Sequence, residues 1–135
     1  MGKKKVILDT NILISALGWD GNERLIFKKF LNKEFEVLIS QKQFEEIKRV
    51  LDYPKLKFTE HQKSRFLTIL SETAMVHNIS ITLNIIKEDP EDNMLLELAF
   101  ETDADYIVSG DSHLLKVKRF MSTRIVTASE FLSLR

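Results

Sequence analysis

Three unbroken apolar triplets, Val6-Ile7-Leu8, Val37-Leu38-Ile39 and Tyr106-Ile107-Val108, recur along the chain with helical patterns between them. Continuous rather than alternating apolar residues mark strands covered on both faces. Between the triplets the spacing changes to that of helices. Ile26-Phe27 and Phe30-Leu31 predict a helix over 23–32. Phe44, Ile47 and Val50-Leu51 predict another that ends before Pro54. Thr59 with Gln62 reads as a capping box opening a helix to about Thr73, and Thr127 with Glu130 as a second one opening a C-terminal helix. Short strands are expected at Met75–His77 and Arg124–Val126, with an irregular stretch after His77. Asp89-Pro90 is expected to open a helix whose inner face is Met94, Leu95, Leu98 and Ala99. Strands alternating with helices imply parallel pairing through right-handed crossovers. The expected fold is a three-layer α/β/α domain with a central parallel sheet, one domain over residues 1–135.

Composition narrows the chemistry. The chain has no cysteine, which removes disulfide scaffolds, thiolate zinc sites and cysteine nucleophiles. No apolar run approaches the ~20 residues that cross a bilayer. Asp9 ends the first apolar run after three residues, so a signal peptide is not expected and the protein reads as intracellular. His61, His77 and His113 lack an HxxxH pairing, and each reads as a surface or packing residue. No GxxxxGK[ST] run is present, which argues against a P-loop. Net charge is zero but unevenly spread. Residues 87–111 hold nine acids and one base, or −8, while 1–86 carry 14 bases and 10 acids and 112–135 carry five bases and one acid, +4 each. Such an acidic insert is either a solvated helix surface or a set of carboxylates converging on a divalent cation.

In open α/β sheets, ligands bind beyond the carboxyl ends of the strands. Asp9-Thr10-Asn11 follows the first triplet, and Ser109-Gly110-Asp111 follows Tyr106-Ile107-Val108. Asp92 falls in the first turn of its helix, and Glu46 lies beside the inward Ile47. Each has a plain structural alternative: Asp9 and Asp111 as helix caps, Asp92 as an acid complementing a helix dipole, Glu46 as an exposed helix acid, Asn11 and Ser109 as turn residues. Clustered carboxylates raise one another's pKa unless a cation neutralises them. Mg²⁺ and Mn²⁺ take such hard oxygen ligands and can support phosphodiester cleavage. Lys3, Lys4 and Lys5 read as a solvated cluster, Trp19 as packing or an apolar interface patch, and Phe100, Phe120 and Phe131 as core.

The stretches VILDTNILISAL, VLISQKQFEEIKRVLDYPK, KEDPEDNMLLELAFETDADYIVSGDSHLL and RIVTASEFL, in this order over nearly the whole chain, resemble the PIN-domain family of metal-dependent ribonucleases. The similarity is to its VapC-like branch, the toxins of toxin–antitoxin pairs. DTN is a short signal, whereas DPEDN followed after a helix by ADYIVSGDSHLL is specific. By position, the family's acidic quartet falls on Asp9, Glu46, Asp92 and Asp111, with Glu46 preferred over adjacent Glu45. Asn11 and Ser109 match the polar positions beside the acids, where they would orient a carboxylate or a water. Asp89 matches an outer acid. The resemblance implies Mg²⁺ or Mn²⁺ dependence, cleavage of single-stranded or structured RNA, homodimers and a cytoplasmic location, and it makes an antitoxin protein a candidate partner. The alternative reading is a non-catalytic RNA-binding or partner-binding module, which needs only the basic surround.

Overall fold

A computed structural model describes residues 2–83, 85–86 and 92–134, with Asp92 described by its backbone alone. The elements in chain order are β1 (Lys5–Leu8), α1 (Thr10–Gly18), α2 (Asn22–Leu31), β2 (Glu36–Ser40), α3 (Gln41–Leu51), α4 (Glu60–Thr73), β3 (Met75–His77), α5 (Asp92–Thr102), β4 (Tyr106–Val108), α6 (Ser112–Val117), β5 (Arg119–Phe120), β6 (Thr123–Val126) and α7 (Ala128–Ser133). The sheet runs β3-β2-β1-β4-β6-β5. Every pairing is parallel except β5 with β6. β5 is absent from the sequence reading because two residues carry no periodicity. A two-residue connection, with Met121 at φ 55°, folds it back onto β6 as an antiparallel edge.

The apolar triplets bury both faces of the sheet, as continuous apolar strands must. Val6, Leu8, Val37, Ile39, Val108 and Val126 pack with α1, α2, α3 and α4, and Phe131 of α7 joins them. Ile7, Leu38, Ile107 and Ile125 point the other way, onto Leu95, Leu96, Leu98 and Ala99 of α5 and Leu114 of α6. Side chains alternate between faces along each strand, so one triplet serves two cores. The result is the expected three layers, with one correction to the core. Phe100 is 47 % exposed. Its place lies roughly 120° around α5 from the centre of the buried face at ~100° per residue. Phe120 and Phe131 are partly buried against the two cores. Leu96, fully buried, completes the inner face of α5, whereas Met94 is only half-buried.

Both expected capping boxes form. Thr59 and Gln62 exchange bonds of 3.0 and 2.8 Å at the start of α4, and Thr127 and Glu130 bonds of 3.1 and 2.8 Å at the start of α7. Asp89 and Pro90, expected at the opening of α5, lie outside the described residues. Among the described residues no helix is long and apolar enough to cross a membrane.

Candidate active site at the carboxyl ends of β1 and β4

The chain leaves β1 to form β2 on one side, while β4 pairs with β1 on the other. The direction of strand addition therefore reverses between β1 and β4, and the crevice beyond their carboxyl ends is the expected ligand site of such a sheet. Leu8 is in register with Val108, so the residues that follow them emerge side by side. Asp9 continues from β1 and donates its backbone N–H to the carbonyl of Val108 at 2.9 Å. Ser109 continues from β4 and is completely buried. Its hydroxyl donates to Asp9 Oδ2 at 2.6 Å and accepts the backbone N–H of Asp111 at 3.0 Å. One hydroxyl thus links the two carboxylate-bearing segments.

Asp9 occupies the cap position of α1, and its carbonyl accepts from Ile12 and Leu13. Its carboxylate makes no cap hydrogen bond. Burial pushes that carboxyl above its ordinary range. The Ser109 hydroxyl and the amides of Asn11 and Thr10 favour the charged form, and the charge of Asp111 opposes it. Asp111 does act as a cap: Oδ1 accepts from the backbone N–H of His113 at 2.8 Å and of Leu114 at 3.3 Å. Both cap bonds use the same oxygen. His113 Nδ1 lies 3.8 Å from it.

Glu46 reaches the same edge from α3. Ser40 caps that helix by accepting the Gln43 N–H at 3.0 Å. Glu46 is half-buried and accepts a hydrogen bond from the Thr10 hydroxyl. Its neighbour Glu45 is exposed and pairs with Lys48 at 3.1 Å. A helix turns about 100° per residue, so adjacent acids face different surroundings. Asn11 is exposed in the first turn of α1. α5 begins at Asp92, whose side chain lies outside the described residues. Among the described residues, no three His, Asp or Glu side chains stand close enough to form a metal cluster.

Four residues near this edge escaped the sequence reading. Thr10 and Gln43 tie α3 to the β1–α1 junction. Gln43 is completely buried and donates from Nε2 to the Leu8 carbonyl at 2.7 Å. Asn93 and Glu97, one turn apart on α5, hold the stretch leading towards that helix. Asn93 accepts from the amides of Ile85 and Ile86 and donates to the Ile86 carbonyl, and Glu97 accepts from the amide of Leu83 at 2.9 Å. A buried polar residue on an otherwise apolar helix face is the one signal that could have marked Asn93 and Glu97.

A PIN domain family model matches residues 5–113, from the start of β1 into α6. The chain belongs to the PIN-domain family. It is 30% identical over 123 residues to the uncharacterized protein MJ1680 of Methanocaldococcus jannaschii, covering 86% of this chain and 76% of that one. Its fold is similar to the structure of VapBC2 from Rickettsia felis bound to a DNA fragment from their promoter. There the TM-score is 0.63 at 16% identity, over 91% of this chain and 98% of that chain. It is also similar to PAE2754 from Pyrobaculum aerophilum, with a TM-score of 0.65 at 15% identity, over 96% and 87% of the two chains. At such identities the two structures bear on the fold alone. This PIN-domain protein keeps a carboxylate at the end of β1 and another just beyond β4.

Proposed function

We propose that this protein is a Mg²⁺- or Mn²⁺-dependent ribonuclease. Asp9, Asp92 and Asp111 would hold the cation, and Glu46 would hold a second ion or take a proton from the attacking water. The observation that carries the reading is the Ser109 bridge, which joins a half-buried Asp9 carboxylate to the Asp111 segment at the strand-order reversal. PIN-domain proteins are generally nucleases, which supports the same class.

The donor set suits a hard divalent ion. It consists of carboxylate oxygens, and the charge of Asp111 already raises the pKa of Asp9. A cation held by both would relieve that repulsion and favour the ionised form of Asp9. When bound, such an ion supplies Lewis-acid stabilisation of the developing phosphoryl charge and eases deprotonation of water. The chain's own part is positioning. Ser109 fixes Asp9 Oδ2, the α6 cap fixes Asp111 through Oδ1, and Thr10 orients Glu46. Asn11, exposed beside Asp9, would contact substrate or water.

The VapC-like sequence resemblance, with the VapBC2 fold similarity, supports the further reading that the protein is the toxin of a toxin–antitoxin pair. It would then act in the cytoplasm as a homodimer with an antitoxin partner. Cleavage of a labelled RNA pool with Mn²⁺ tests the enzyme reading. Wild type is expected to cleave, EDTA to stop it, and Asp9→Asn to lose on the order of 100-fold or more in rate. Equal cleavage by wild type and Asp9→Asn refutes the assignment, and chelator-indifferent RNA binding without cleavage would point to the non-catalytic module.

A further inference from the structure

Asp9 is bracketed by two residues that are both tied to α3. Before it, the Leu8 carbonyl accepts from Gln43 Nε2 at 2.7 Å. After it, the Thr10 hydroxyl donates to Glu46 Oε1. Gln43 and Glu46 are three residues apart, so they share one face of the helix. The register between β1 and β2 covers Lys5↔Glu36 and Val6↔Val37, two residues short of Leu8. Beyond that point it is Gln43, the third residue of the helix that continues β2, that reaches across to β1.

Gln43 is a costly choice for filling space. It is wholly buried, and its Oε1 has no hydrogen-bond donor among the described residues. A leucine would occupy similar volume with no amide to satisfy. Nor is the tether needed to dock α3. Ile47 and Leu51, both buried in the core with Leu8 and Leu13, do that. What the amide adds is direction: α3 is held at one rotation and one height relative to β1. Ser40 secures the base of the tether through the Gln43 N–H, and Ser109 secures Asp9 from the opposite side.

We propose that Gln43 and Thr10 are positioning residues that lock Glu46 of α3 beside Asp9 of β1, so that acids from two separate elements engage the same divalent-cation site. The proposal rests on the ribonuclease reading above. Mn²⁺ affinity, measured by calorimetry on the full chain, tests it apart from activity. The variants are Gln43→Met, which keeps the volume and removes the amide, and Thr10→Val, which keeps the shape and removes the hydroxyl. Thermal melts without metal report whether each folds. Each folded variant is expected to bind Mn²⁺ about 10–100-fold more weakly, the range for residues that orient metal ligands. The double variant is expected to lose less than the product of the two, because both ties hold one helix. RNA cleavage is expected to fall in kcat at unchanged KM. Wild-type Mn²⁺ affinity in either folded variant overturns the proposal alone. A wild-type chain that binds no Mn²⁺ overturns the ribonuclease reading and this proposal together. If Gln43→Met does not fold, Thr10→Val decides.

Discussion

A carboxylate half-buried at the end of a strand is held against its own solvation. For Asp9 the loss of water outweighs the Ser109 hydroxyl and the nearby amides, and the charge of Asp111 adds to the imbalance. The folded-state pKa therefore lies above the unfolded one, and the sign of the linkage follows. Below the unfolded value both states are protonated and Asp9 contributes no penalty. As pH rises through the folded pKa the native state must ionise a group it holds poorly, and stability is lost. Without divalent metal, Asp9→Asn is expected to melt higher than wild type at neutral pH. That advantage should vanish on acidification below the ordinary carboxylate range, and paired thermal melts at the two pH values check it. A lower melting temperature at neutral pH would show that Asp9 is not strained there. The same residue would thus lower stability and supply the chemistry.

At the scale of elements, caps and tethers do different work. α4 opens with a complete capping box at exposed Thr59, next to Phe58, which packs on Gly18 at the end of α1 opposite Asp9. Thr59→Ala is expected to cost ~1 kcal/mol of stability with RNA cleavage unaltered, read by urea denaturation and a parallel cleavage assay. Asp111 combines both kinds of work, capping the start of α6 through Oδ1 while standing beside Asp9. Helix boundaries were legible where a residue pair made them so: the Thr59–Gln62 box places the start of α4 to the residue. The end-to-end ties were not legible. Gln43 at the third position of α3 looks like any helical glutamine until β1 is alongside. Glu45 and Glu46 could be ranked by motif spacing, but only the rotation of α3 shows that one meets Lys48 and the other Thr10.

For the whole molecule, one sheet with two buried faces supports the site from beneath. Ile107, fully buried in β4 two residues before Ser109, packs between the sheet and α5. Ile107→Ala is expected to destabilise the fold by about 2–5 kcal/mol, measured by denaturant unfolding. A cost near zero would mean that the α5 layer packs loosely. The layering also explains why the crevice lies where it does. The direction of strand addition reverses between the parallel neighbours β1 and β4, so the connections leaving them turn to opposite faces, towards α1 and towards α6, and part at the crevice.

The amino-acid sequence alone determined the strand–helix alternation, both capping boxes and the acids that follow β1 and β4. Those follow from local spacing, which a chain carries wherever it is read. It also pointed to the family through short motifs that keep their order. Tertiary structure decided what spacing cannot encode: the antiparallel β5 edge, the exposure of Phe100, and the pairing of residues as far apart as Asp9 and Ser109. Hydrogen bonds depend on distance and direction in space, and those exist only once the sheet has set which strands are neighbours and the helices have set their rotation.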